Sequence, residues 1–205
     1  MQTDLQQHWQ QIYQTKKAEE VSWTERVPGT SLSFIKGLDL PKDAAIIDIG
    51  GGDSRLAECL LDEGYTDITV LDISEESLER ARKRLGDRAG SIKWVISDVR
   101  DFRPERVYAV WHDRAAFHFL LNDEDVKAYR TLVEKWATGY LVVGTFSENG
   151  PKKCSGLPVR QYSIQQLSEL FRNRFKKIRC RHVQHRTPAN ALQEFTFCLM
   201  QHLPI

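Results

Sequence analysis

The residues best suited to chemistry are an acid followed by three glycines. In the stretch A-A-I-I-D-I-G-G-G-D-S, a short apolar run from Ala44 to Ile49 breaks on Gly50, Gly51 and Gly52. Without a Cβ in the way, backbone at such a turn can pass close beneath a bound ligand. The segment that follows reads as a helix, so its unpaired N–H groups face the same spot. Asp72 stands twenty residues beyond Gly52, at the end of a second apolar run. A carboxylate there can accept both ribose hydroxyls of a nucleoside-containing cofactor. Asp98 ends a third run in the same way, where a polar side chain can meet an adenine edge.

The dinucleotide fingerprint G-x-G-x-x-G is incomplete, because Arg55 stands where its third glycine belongs. Asp48 lies two residues before the first glycine. A carboxylate so close would repel a pyrophosphate but suits a ligand with a positive amine. S-adenosylmethionine has an ammonium, a sulfonium and no phosphate. I-I-D-I-G-G-G-D-S, then V-L-D-I-S, then I-S-D-V resemble the first three motifs of the class I S-adenosylmethionine-dependent methyltransferases, a likeness running from about residue 44 to the end of the chain. The resemblance implies a Rossmann-like, doubly wound α/β fold: a seven-stranded, mostly parallel sheet with an antiparallel C-terminal strand and helices on both faces. It also implies that Gly50, Gly51 and Gly52 line the methionine moiety while Asp48 orients its amine. Asp72 then binds the ribose, Ile73 packs on the adenine, and Asp98 with Val99 edges it. On this reading Gly50→Val blocks the cofactor and leaves the fold intact.

Methyl transfer displaces an already activated group, so a protein mainly supplies proximity and orientation. A general base is needed when the nucleophile arrives protonated. In the family, the end of the fourth strand faces the methyl. Here it reads V-W-H-D-R, which puts forward His112 as a base and Trp111 and Arg114 as acceptor contacts. The family often carries an acid early in this motif, but Ala109 stands near that place. The long loop 150–163 adds Cys154, Arg160 and Tyr162, and its lysines and arginine make it locally basic. Trp9, Tyr13 and Trp23 belong to an N-terminal segment, residues 1–40, that reads as a helical lid on a methyltransferase domain spanning 41–205. The acceptor is expected to be a small molecule. A faint likeness of H-W-x-x-I-Y and V-S-W to protein-lysine methyltransferases makes a protein side chain the second choice. The (D/N)-P-P-(Y/F) motif of nucleic-acid and glutamine methyltransferases is absent. More remote alternatives are an NAD-linked oxidoreductase, which Arg55 disfavours, and a non-catalytic nucleoside-binding module.

These residues need elements to hold them. Leu5, Trp9, Ile12 and Tyr13 share one face of a helix expected over 4–20, with a loop over 21–33 and a short helix ending before Pro41. Strands are expected at 44–49, 67–73, 91–97, 106–111 and 140–147, with helices between them. Ser74 and Ser163 are helix caps, and Gly64 suits a left-handed helix end. Two late strands, 175–186 and 191–202, have no helix between them and read as an antiparallel hairpin.

A length of 205 residues suits one domain with its own core. A net charge of +1 gives no global pull toward nucleic acid or membrane, so neither is expected as a partner. No apolar run is long enough to span a bilayer, and the polar start M-Q-T-D-L is no signal peptide. The four cysteines have no metal-ligand spacing, so no metal is expected; they read as free thiols in a cytoplasmic protein. Oligomeric state is not legible.

Overall fold

The computed structural model describes residues 4–204. Its helices are α1 (Asp4–Thr15), α2 (Gly29–Lys36), α3 (Leu56–Asp62), α4 (Glu75–Leu85), α5 (Asp123–Trp136) and α6 (Ile164–Phe171). The first five strands are β1 (Ile46–Ile49), β2 (Ile68–Asp72), β3 (Ile92–Ile96), β4 (Tyr108–Arg114) and β5 (Ala137–Phe146). A two-residue ladder pairs β6 (Lys153–Cys154) with β7 (Leu157–Pro158), and β8 (Phe175–Arg186) and β9 (Leu192–His202) close the chain.

The main sheet has seven strands in the order β3-β2-β1-β4-β5-β9-β8. β1 to β5 are parallel, whereas β9 runs antiparallel to both β5 and β8. The expected Rossmann-like α/β sheet, with its antiparallel last strand, is therefore present. The strand order reverses at β1, so the carboxyl ends of β1 and β4 diverge and leave a crevice for a ligand.

Alternation along each strand sorts side chains between two cores. Ile47, Ile49, Trp111 and Val143 pack with α5 and α6 through Tyr129, Val133, Leu167 and Phe171. Ile46, Val70, Val110 and Val142 pack with α2, α3 and α4 through Phe34, Ile35, Leu60 and Leu78. Caps behave as their residue types dictate: Ser74, Asn122 and Ser163 each accept a backbone N–H of the first helical turn. Gly64 has φ +86°, the left-handed end that glycine permits.

Three expectations need correction. The first helix stops at Thr15, a short 3₁₀ turn takes Ala18–Glu20, and α2 begins at Gly29 inside the expected loop. β4 runs on to Arg114, so W-H-D-R is strand and not turn. Finally, Cys180 and Cys198 form a disulfide, and only Cys59 and Cys154 are free. The hairpin register sets these two residues opposite one another with Cα atoms 4.2 Å apart, which linear spacing could not reveal. The cysteine count therefore carries no argument for a reducing compartment. Among the described residues no helix is long and apolar enough to cross a membrane.

β8 is an edge strand. It carries Lys176, Lys177, Arg179, Arg181 and Arg186 and no acidic residue.

Candidate active site

A cavity of about 450 Å³ opens at the carboxyl ends of β1, β2 and β4. Its floor is the glycine turn. Gly50 has φ +64°, and a Cβ built there would lie 2.6 Å from the Ala116 Cβ. The turn is thus demanded by backbone conformation and by the protein's own packing as well as by any ligand. This overturns the expectation that Gly50→Val would spare the fold. A Cβ on Gly51 would meet Asp48 Oδ2 at 2.7 Å, and one on Gly52 would meet Asp72 Oδ2 at 2.8 Å. Both carboxylates are therefore drawn tightly against the bare backbone.

Asp72 ends β2 and is buried. Burial pushes its carboxyl up to about 6, although N–H and O–H donors from Ser74, Ser77 and Gly52 oppose that. The Ser74 N–H donates to Oδ1 at 2.8 Å. Tyr13, buried near Asp72, is held protonated by desolvation and by the Asp72 and Asp53 charges. Asp98 is bound by Arg100, whose Nε lies 3.0 Å from Oδ1.

β4 supplies the other wall. Its alternation sends His112 and Arg114 toward the cavity, and Trp111 and Asp113 to the opposite face. Asp48 and His112 are register partners on neighbouring parallel strands. His112 Nδ1 lies 2.6 Å from Asp48 Oδ1, and its Nε2 lies 2.8 Å from the Ser31 hydroxyl on α2. Arg114 donates to the Trp23 carbonyl at 3.0 Å and to Glu25 at 2.9 Å. His185 on β8 also holds this segment: its Nδ1 lies 3.1 Å from Glu25 and its Nε2 2.6 Å from the Ser22 carbonyl. Burial pushes Glu25 up, but His185 and Arg114 together outweigh it and keep the carboxyl below its usual range.

On the far face, Asp113 shapes the floor from below. Its Oδ1 accepts the N–H groups of Ala116 and Phe117, each at 3.0 Å, and its Oδ2 accepts the Tyr129 hydroxyl at 2.7 Å. These bonds hold Ala115 in a left-handed conformation, φ +68°, and seat Ala116 over Gly50. Burial pushes Asp113 up to about 6.

Residues ahead of α2 form the roof. Trp9 packs edge-on against Trp23 and Phe119, with ring centroids 5.7 and 5.2 Å apart. Gln10 accepts from the Ser74 hydroxyl at 3.1 Å and the Glu76 N–H at 3.2 Å, and Arg80 donates to the Tyr13 and Lys16 carbonyls.

Of the residues singled out from sequence, the cavity gathers Asp48, Gly50, Gly51, Asp72, Ile73, Asp98 and Val99. It also gathers Trp9, Tyr13, Trp23, His112, Arg114 and Cys154. Gly52 lies just behind its wall, against Asp72 and Tyr13. Trp111 is buried on the other face, bonded to Tyr129 at 3.1 Å. Arg160 pairs with Asp123 at 2.7 Å, and Tyr162 stacks on Phe117 at 5.2 Å; both line a separate groove beside α5 and α6. The 150–163 loop thus gives the cavity only Cys154. Sequence reasoning did not single out Ser31, Glu25 or Phe119, because their partners lie far away in the chain.

Residues 46–137 match a family model described as a methyltransferase domain. Over its whole length the chain also resembles a crystallised N1-methyltransferase of 1,6-didemethyltoxoflavin from Burkholderia thailandensis, holding that compound and S-adenosylhomocysteine. The TM-score is 0.73 at 17% identity, covering 98% of this chain and 88% of the other. The chain thus resembles methyltransferases both in the family-model match over residues 46–137 and in its fold. Two curated relatives of this methyltransferase domain differ in acceptor by name. A mouse "eEF1A lysine and N-terminal methyltransferase" is 29% identical over 122 residues, which are 58% of this chain and 17% of the relative. A malonyl-[acyl-carrier protein] O-methyltransferase of Anoxybacillus flavithermus is 26% identical over 129 residues, 62% of this chain and 48% of the relative. The chain therefore matches less than half the length of either. The Burkholderia enzyme's ligand, S-adenosylhomocysteine, is the demethylated form of S-adenosylmethionine. The residues present suit S-adenosylmethionine: a side-chain-free turn, with the buried carboxylates of Asp48 and Asp72 at adjacent strand ends.

Proposed function

We propose that this methyltransferase transfers a methyl group to a small-molecule acceptor enclosed beneath residues 5–28, with the N-terminal segment up to residue 40 serving as its lid. The cavity itself carries this reading. Its 450 Å³ is divided between a carboxylate-lined floor and an aromatic roof of Trp9, Trp23 and Phe119, a space suited to one cofactor and a compact partner.

In this reading Asp72 accepts the ribose hydroxyls, and Asp48 faces the amine. Ile73, Asp98 and Val99 surround the base, and Gly50, Gly51 and Gly52 let the methionine chain pass. The bound cofactor supplies an activated methyl on a sulfonium. The chain's own work is to align an acceptor and exclude water. Trp9, Trp23 and Phe119 offer flat apolar surfaces, Arg114 a cation, and Cys154 a small apolar wall whose thiol is kept protonated by burial. His112 is the base.

A protein side chain is the second reading, favoured by the name of the mouse relative. Methyl-labelled S-adenosylmethionine incubated with this protein and a fractionated cell extract decides between them. Label in the small-molecule fraction supports the first reading. Label in protein alone replaces it with the second. Calorimetry that detects no S-adenosylhomocysteine binding overturns both.

A further inference from the structure

Asp48, His112 and Ser31 form a continuous chain of hydrogen bonds from the floor of the cavity to its wall. All three are at most 2% exposed. The protonation state of the ring decides which way the hydrogen bonds of this chain run. An ionised carboxylate only accepts, so at 2.6 Å from Asp48 the Nδ1 of His112 must carry a proton. A neutral ring then has a bare Nε2, which can only accept, whereas an imidazolium donates from both nitrogens. With the ring neutral, the Ser31 hydroxyl, 2.8 Å away, donates to it. That leaves the lone pairs of Ser31 Oγ unused: it has no other hydrogen-bond partner among the described residues, and it lines the cavity.

We infer that Ser31 is the residue that takes the proton of the methyl acceptor, with His112 behind it as the proton sink and Asp48 as the positioning residue. The inference rests on the methyltransferase reading above and narrows the acceptor to a group bearing a proton on its nucleophilic atom: a hydroxyl, a thiol or an amine. When the new bond from methyl carbon to acceptor atom forms, the bond from methyl carbon to sulfur breaks. The acceptor's proton moves to Ser31 Oγ, and Ser31's own proton moves to His112 Nε2. The positive charge lost from sulfur reappears on the imidazolium, held beside Asp48, and leaves later to solvent. The charged groups around the ring are Asp48 on β1, Glu25 ahead of α2, and Asp113 and Arg114 on β4, with Asp72 on β2 acting on Asp48.

Nitrogen-15 NMR of histidine-labelled protein, with His112 assigned by its loss in His112→Asn, reads the arrangement directly. Expected is a neutral ring protonated at Nδ1, whose Nε2 resonance shifts toward the unbonded value in Ser31→Ala. A ring protonated at Nε2 would reverse the Ser31 bond and overturn the relay. In parallel, release of S-adenosylhomocysteine is followed with 4-nitrophenol, thiophenol and benzylamine as probe acceptors. For any probe that is methylated, Ser31→Ala should lower kcat by about a hundredfold or more. The deficit should close at a pH that ionises the probe in free solution, and Ser31→Thr should recover part of the rate. An unchanged kcat and pH profile in Ser31→Ala overturns the relay. If no probe is methylated, the tautomer alone decides. Calorimetry with S-adenosylhomocysteine keeps the two levels apart: absent binding defeats the methyltransferase reading, whereas binding with the wrong tautomer defeats only the relay.

Discussion

The two sides of the cavity are built differently. On the β1–β2 side, the working parts are strand ends and a backbone turn, and two of the contacts that shape it are local: Asp72 is bound by Ser74 and Asp48 lies against Gly51. On the β4 side and in the roof, the same job is done by pairs remote in sequence: His112 with Ser31, Arg114 with Glu25, His185 with Ser22. The first side is built mainly from β1, its glycine turn and the neighbouring end of β2. The second exists only once the whole sheet has assembled and the N-terminal segment has folded over it. One side thus suits a constant ligand, the other a variable one.

Asp72→Ala should give the largest effect and tests whether the first side alone holds the cofactor. Two charge-assisted hydrogen bonds would go, roughly 1.5–3 kcal/mol each, so S-adenosylhomocysteine affinity should fall at least a hundredfold by calorimetry. Affinity like the wild type's would break the comparison at its root.

Gly50→Val should cost roughly 3 kcal/mol of stability, from a β-branched residue at positive φ and the collision with Ala116. Thermal unfolding should show a loss of several degrees. An unchanged Tm would mean that the turn answers to the ligand and not to the fold.

Asp113→Asn probes the linkage between the sides, since this acid seats Ala116 over the glycine turn. Its folded pKa of about 6 lies above the ordinary 3.8. The stabilising contribution of the protonated acid is therefore complete below pH 3.8 and is lost as pH rises to about 6, on the order of 2–3 kcal/mol. Denaturant midpoints between pH 4 and pH 7 should fall in the wild type and fall less steeply in Asp113→Asn, where Asp72 still titrates over the same range. An equal slope in both assigns the pH dependence elsewhere.

Glu25→Gln should have the smallest effect, about 1 kcal/mol. It loosens the ties to Arg114 and His185, so limited proteolysis within residues 16–28 should speed up while S-adenosylhomocysteine affinity changes little. An affinity loss as large as that of Asp72→Ala would show that roof and floor are one unit.

The same contrast explains what was legible in the sequence. Strand–glycine–helix alternation, the Ser74 and Ser163 caps and the terminal hairpin depend on local propensity and turn chemistry, so they could be read along the chain. The extent of β4 could not. W-H-D-R looks like a polar turn until Asp48, Ser31, Glu25 and Tyr129 arrive from elsewhere to satisfy it. Ser31 gave no local signal, since a serine in the first turns of a helix is commonplace. The Cys180–Cys198 pairing is a product of strand register, which spacing alone does not encode. Among the acceptor candidates, Arg160 and Tyr162 lie in the right loop but on the wrong side of it to reach the cavity, a matter of a few backbone turns that composition does not record.

The lysines and arginines of β8 have a consequence for how copies of the chain meet. An edge strand presents unpaired peptide groups that another sheet could extend. Two such borders brought together would set like charges face to face across less than a Debye length at moderate salt, roughly 10 Å. The open margin of the sheet is thereby fenced against lateral growth into fibrils, and raising ionic strength lowers that fence.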